Sequence, residues 1–362
     1  MDSVHRGFRR GVGICWDDRI MDADFMRECD NAPRLNQLER FFSTTAAGVN
    51  GKPMSVPKVD KRLLSDRDGA SRFIDLFVRR MGKFDEHYYT SIPYRLEEEC
   101  RLGHALLAFA AETSTAERPF FIWSLGTAEG TLARTVAELG NGIIKTLACS
   151  ATSENKESFF KYGEPEHSTF YMGSFHTLVK ERMMRDNRLS TFTGGFDAIL
   201  EDTTFQMYSP NRIEQVSFVK THLKEGGILL LVEKCRHDDE AEYIARERQK
   251  DFGFKSRFYS RTEINKKKKS MLRMMKLNER TLSDMAKAIG ASFKYCHVTW
   301  NSGNFYIFAA SDNDSKLNAF VRRLGTAVIP AEYVYMGLPR CLVSVEDNQS
   351  APFLDDGVSS CR

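Results

Sequence analysis

The stretch Trp123–Leu139, WSLGTAEGTLARTVAEL, joins an apolar run to a helix-forming run and places Gly126 and Gly130 at the junction. A glycine there permits a tight turn and lets a ligand approach the main chain. The amides that start the following helix aim at the same spot. Thr127 and Ala128 complete the turn. Close packing of strand on helix explains such a turn as readily as a ligand does. Side chains able to do chemistry stand where later apolar runs end. Asp202 closes FDAILED, Glu233 and Lys234 close ILLLVEK, His176 follows STFYMG, and Tyr208 lies in DTTFQMYSP. His176 has the chemistry of a general base, Glu233 and Lys234 stand where a second substrate would lie, and Tyr208 is a further catalytic candidate. Each has a plain alternative: a helix cap for Asp202, a surface pair for Glu233 and Lys234, a surface residue for His176, packing for Tyr94 and Tyr208.

The elements that must hold these residues alternate. PFFIWSL, IIKTLACS, STFYMG, FDAILED and ILLLVEK read as five strands, the last apolar enough to be covered on both faces. TLARTVAELG and RIEQVSFVKTHLKEGG read as helices closed by glycine. After the helix TLSDMAKAIGA, the runs FKYCHVTW and NFYIFAAS form a hairpin through Asn301-Ser302-Gly303. This order implies a doubly wound, mostly parallel α/β sheet, in which ligands bind at the carboxyl ends of the strands. Before it, RFIDLFVRRMGKF and RLEEECRLGHALLAFAAE carry helical periodicity and are separated by SIPY. The expected divisions are an N-terminal extension over 1–66 with a loop at 42–60, a helical cap over 67–113, the α/β domain over 114–312 with a polar insertion at 235–280, and a C-terminal extension over 313–362 whose last dozen residues read as disordered.

The 362 residues carry a net charge of +3, which neither demands nor excludes a nucleic-acid partner. The eight cysteines are scattered without a CxxC pair, a pattern of reduced thiols and of no metal site. The longest apolar run, Ile228–Val232, is too short for a membrane span, and no apolar segment follows the basic start MDSVHRGFRRG. These features fit a soluble, cytoplasmic protein.

The strand order with its terminal hairpin resembles that of the class I S-adenosylmethionine (SAM) dependent methyltransferases, whose Rossmann-like sheet has seven strands. FDAILED…LKEGGILLLVEK is similar to their fourth and fifth strand region. A narrower likeness lies in FYSRTEINKKKKSMLRMMKLNERTLSDMAKAIGASF and HVTWNSGNFYIFAA, which resemble the carboxy-SAM synthases of the tRNA wobble-uridine pathway. DTTFQMYSP and SIPY resemble further stretches of that family, and the likeness covers about 85–311. The resemblance implies that Tyr94 lies near the cofactor and that Gly126, Thr127 and Ala128, with Gly130 behind them, line its amino-acid moiety. It implies Ser150 and Ala151 at the ribose, Ser174 and Phe175 at the adenine, Asp202 in the same site, and Lys269 against the extra carboxylate of carboxy-SAM. Ser124, Ser150 and Ser174 replace three acids of such sites, and each lost charge-assisted bond is worth about 1.5–3 kcal/mol. Glu129, inside the glycine turn, and Asp202 are the candidates to compensate in part.

The leading expectation is a SAM-dependent methyltransferase acting on a small molecule, with a homodimer as the family's usual assembly. The alternatives are a carboxy-SAM synthase using SAM and prephenate, a non-catalytic binding protein of the same fold, and an RNA methyltransferase suggested by Lys266–Lys269.

Overall fold

A computed structural model of the chain describes residues 23–64, 70–161, 163–327 and 329–345. Five strands, β1 Phe120–Leu125, β2 Ile144–Ser150, β3 Ser168–Met172, β4 Phe196–Asp202 and β5 Leu223–Arg236, pair in parallel. The two-residue β6 Arg280–Thr281 pairs with the end of β5. The hairpin β7 Tyr295–Ser302 and β8 Phe305–Ser311 adds antiparallel strands, and β9 Arg340–Val343 extends the far edge. The order is β3-β2-β1-β4-β5-β8-β7-β9, so the sheet grows one way from β1 to β3 and the other way from β4 onward, with the topological switch between β1 and β4. Without β6 and β9 the sheet has seven strands, five in parallel and a terminal antiparallel hairpin, the doubly wound arrangement expected from the sequence. The strand count is nine rather than the expected seven, because the tail past residue 325 supplies an edge strand and the insertion supplies β6.

Period-two alternation sends successive side chains to opposite faces. Phe120, Ile122, Leu200, Leu230 and Ile307 face one layer, built from the helices Ala70–Arg80, Arg95–Thr113, Thr131–Gly140 and Asp314–Leu324. Trp123, Leu125, Ile199, Leu231 and Phe308 face the other, built from the helices Arg212–Lys220 and Leu282–Gly290 and the segment about Phe175. The helices ahead of β1 thus share a core with the sheet. Gly82 separates Ala70–Arg80 from Lys83–Tyr89, so the region holds three helices rather than two.

Other differences are local. Helix Glu39–Ala46 takes the start of the expected loop, and the hairpin turns at Gly303-Asn304, leaving Asn301 and Ser302 within β7. The polar insertion is helical over Glu240–Arg248, Arg261–Lys269 and Met271–Asn278. Cys29, Cys100, Cys149, Cys235, Cys296 and Cys341 form no disulfide, whereas Cys15, Cys361, the basic start and the last dozen residues lie outside the described residues. No helix among the described residues is long and apolar enough to cross a membrane.

Candidate active-site cleft

The carboxyl ends of β1–β4 open into a cleft of about 780 Å³, the space at its mouth included. Gly126, Thr127 and Ala128 form its floor after β1. Ser150 and Ala151 follow β2, Gly173, Ser174 and Phe175 follow β3, and Asp202, Thr203 and Thr204 follow β4. Ala128 (φ 45°) and Thr203 (φ 50°) both hold left-handed backbone without being glycine. Such a conformation costs about 1–2 kcal/mol per residue, so both turns are fixed by their surroundings.

The two glycines of the β1 turn work differently from the ligand-approach reading. A Cβ on Gly126 would overlap Thr204 Oγ1, and one on Gly130 would stand 2.9 Å from Ala148 Cβ and from Phe159 Cδ2. The space above Gly126 therefore belongs to a side chain from the end of β4. Gly130 is a packing glycine between helix and sheet and does not line the cleft.

Three buried carboxylates reach the cleft. Asp202 accepts from Arg95 Nη2 at 3.1 Å and from the Tyr88 hydroxyl. Glu99 stands beside Arg95 on the same helix, yet its Oε2 lacks an aligned hydrogen-bond donor. Burial is the main cause that raises the Glu99 carboxyl to about 7. Asp85 accepts from the Thr131 hydroxyl, and burial first, then Glu129, pushes its carboxyl well above the usual range. Glu129 does not line the cleft. It turns away to accept from the amides of Phe84 (3.4 Å) and Asp85 (3.1 Å), capping the helix Lys83–Tyr89. One guanidinium, Arg34, stands opposite, donating to Thr152 Oγ1 at 2.7 Å and lying 3.8 Å over the Phe42 ring.

The ends of β2 and β3 test whether a nucleoside-bearing cofactor fits. The Ser150 hydroxyl already accepts from Thr152 N at 3.2 Å and Asn155 Nδ2 at 2.9 Å. Asn155, 1% exposed, keeps its Oδ1 without a partner on the cleft wall. A buried acceptor left unpaired costs about 1–3 kcal/mol, and a ligand hydroxyl donating to it recovers that cost. An orphaned acceptor at the end of β2 thus suits a ribose despite the missing acid, and the residues present fit SAM. Ser124 lies wholly buried in β1, its Oγ unpaired, and does not line the cleft.

The remaining predicted residues fall elsewhere. Tyr208 lines the cleft, and burial pushes its hydroxyl up to about 12, which makes it a donor rather than a base at neutral pH. His176 is fully buried behind Phe175, with Nε2 2.8 Å from Asp30 Oδ1, and pins the helix Ala23–Asp30. Glu233 forms a buried pair with Arg212 at 2.8 Å. Tyr94 packs on Phe254 and Tyr333. Lys269 is exposed at the last turn of its helix and does not line the cleft. Arg34, Asp85, Glu99 and Asn155 were not singled out from sequence. Asn155 alone carried a local signal, five residues past Ser150 at the start of a helix.

No family model matches the chain, and no curated protein matches it. Solved structures with a similar chain path include a plantazolicin methyltransferase, BpumL, in complex with a desmethylplantazolicin analogue and S-adenosylhomocysteine (11% identity, 76% of this chain, 99% of that chain, TM-score 0.42). Human N-acetylserotonin methyltransferase in complex with SAM is another (14%, 78% and 69%, TM-score 0.37). A third is an O-methyltransferase family protein from Burkholderia thailandensis (13%, 77% and 67%, TM-score 0.36). The chain spans 60% and 58% of the length of two further neighbours.

Proposed function

We propose that the chain is a SAM-dependent methyltransferase acting on a small molecule. One observation carries the reading: a cleft at the sheet's ligand-binding end that combines three buried carboxylates with an unpaired acceptor at the end of β2. SAM supplies a methyl group already activated on a sulfonium, so the protein's task is alignment more than acid–base chemistry. Asn155 Oδ1 and Ser150 hold hydroxyls at the end of β2. Glu99 and Asp85, raised by burial, ionise most readily when a cationic ligand arrives. Tyr208 and Tyr88 donate hydrogen bonds within the cleft. His176 and Glu233, paired elsewhere, are not assigned a proton-transfer role.

Calorimetry with SAM and S-adenosylhomocysteine tests this. Both should bind, and Glu99→Gln should weaken SAM more than S-adenosylhomocysteine, because only SAM carries the sulfonium charge. Failure of both to bind at millimolar concentration would remove the proposal. A second reading, a binding protein that holds SAM without transferring its methyl group, rests on two of the catalytic candidates, His176 and Glu233, being paired away from the cleft. Loss of label from methyl-labelled SAM in the presence of small-molecule acceptors separates the two. The carboxy-SAM reading lacks the counter-ion it required, since Lys269 faces solvent.

A further inference from the structure

A second cavity, of about 550 Å³, lies against the first. Phe42, Phe84, Tyr88, Thr203 and Met207 wall both. The rest of its lining divides by chemistry. One side is apolar, formed by Phe41, Met271, Leu272 and Met275. The other side gathers four lysines, Lys234, Lys250, Lys255 and Lys267, beside His87.

The lysines are unequally matched. Lys234 meets Glu279 at 2.9 Å and Glu247 at 3.1 Å, and Lys250 meets Glu247 at 2.7 Å. Lys255, 2% exposed, has only Asp251, at 3.6 Å, and Asp251 is shared with Lys250 and the exposed Lys268. Lys267 pairs with no carboxylate among the described residues. Its Nζ meets His87 Nε2 and donates to Ser91 Oγ at 2.9 Å. His87 Nδ1 lies 2.7 Å from the Gly51 carbonyl, which only an N–H can satisfy. Burial first, then Lys267, holds the His87 imidazole well below its usual range, so it is neutral, turns its Nε2 lone pair to Lys267, and supplies no negative charge. Four lysines thus stand against three carboxylates, Glu247, Asp251 and Glu279, with the shortfall at Lys255 and Lys267. Burial is the main cause that lowers the Lys255 ammonium to about 7 and holds that of Lys267 well below its usual range. A buried cation lacking a counter-ion is costly unless a ligand provides one.

We propose that this cavity binds the acceptor substrate, an aromatic or otherwise apolar molecule held by its carboxylate between Lys255 and Lys267. The apolar wall takes the body of the molecule. The shared wall at Tyr88, Thr203 and Met207 places its other end toward the first cleft. The assignment of this ligand as acceptor rests on the methyltransferase reading, whereas the anion site itself does not. The two cavities are complementary: carboxylates line the one for a cationic cofactor, and lysines line the one for an anionic acceptor.

Calorimetry on the full chain with 3-phenylpropionate, its neutral amide 3-phenylpropionamide, and inorganic phosphate tests the site. The carboxylate should bind, with the amide and phosphate each at least tenfold weaker. Lys267→Gln should weaken the carboxylate about tenfold, and Lys267→Arg should retain most of the affinity. Lys255→Gln should act like Lys267→Gln, and thermal melts confirm that each variant is folded. Lys267 pairs with no acid among the described residues, so its replacement leaves no buried carboxylate stranded. Equal binding of carboxylate and amide, equal binding of phosphate, no binding of the carboxylate, or an unchanged affinity in folded Lys267→Gln would each overturn the site. S-adenosylhomocysteine, titrated into the same proteins, keeps the two readings apart. Its binding should be unaffected by Lys267→Gln. Its failure to bind while 3-phenylpropionate binds would remove the cofactor reading and leave the anion site.

Discussion

Gly126→Ala is the sharpest test of how the cleft floor is built. The new methyl would adopt φ +68°, overlap Thr204 Oγ1, and lie 2.7 Å from Thr204 Cβ and 3.0 Å from Thr204 Cγ2. Left-handed backbone costs a non-glycine residue about 1–2 kcal/mol, and overpacking adds about 1–3 kcal/mol, so the expected loss is about 2–5 kcal/mol. Gly303→Ala supplies the control, because Gly303 has φ +61° and nothing within 4 Å of the place its methyl would take. That variant should lose only the backbone share. Thr204→Ala removes the two γ atoms and one hydrogen bond, Oγ1 to the Asp202 carbonyl at 3.2 Å, worth about 0.5–1.5 kcal/mol. The double variant sheds the overlaps with the two γ atoms but keeps the 2.7 Å contact with Cβ, so it should be more stable than the sum of its singles by only part of that overpacking cost, about 1 kcal/mol. Urea denaturation of the four proteins measures this. Strict additivity, or Gly126→Ala losing no more than Gly303→Ala, would refute the view that Thr204 fills the space above Gly126.

Three further outcomes are expected. Glu233→Ala should destabilise the fold by about 3–5 kcal/mol in urea melts, because it leaves Arg212 buried without its carboxylate; an unaltered midpoint would return Glu233 to the candidates for the site. Asn155→Ala should weaken S-adenosylhomocysteine about tenfold in calorimetry, and a neutral result would separate the orphaned acceptor from the ribose. Lys255 falls from 10.5 to about 7 on folding, so between those values the unfolded chain holds more protons and this residue's contribution to stability rises with pH. Lys250, Asp251, Glu247, Lys234 and Lys267 face it, and a rise between pH 7.5 and 9.5 that persists undiminished in Lys255→Met would assign the effect to them instead.

The strands were legible because each is a short apolar run bounded by glycine or polar residues, and their order alone implied the sheet. The edge strand Arg340–Val343 was not legible, since four residues with one buried side chain acquire strand character only by pairing with β7. Much of the site escaped for a related reason. Arg34, Asp85 and Glu99 come from helices and turns ahead of β1, and nothing local says that these fold over the strand ends. The lysine run shows what periodicity held in reserve. Ile264 is buried, and Lys267 sits three residues past it on the same helix, which puts it on the inward face. Lys269 falls on the outward face, so helical phase distinguished two lysines that the family resemblance did not.

The helix Lys83–Tyr89 has a mechanical consequence. Glu129, from the turn after β1, grips its first amides, and Tyr88 near its other end is tied to Asp202 at the end of β4. It is a seven-residue beam resting on two strand ends, with His87 toward one chamber and Tyr88 between both. An occupant of either chamber pushes on the same support. Whatever one ligand does to the beam is returned to the other by the same factor, because linkage is reciprocal.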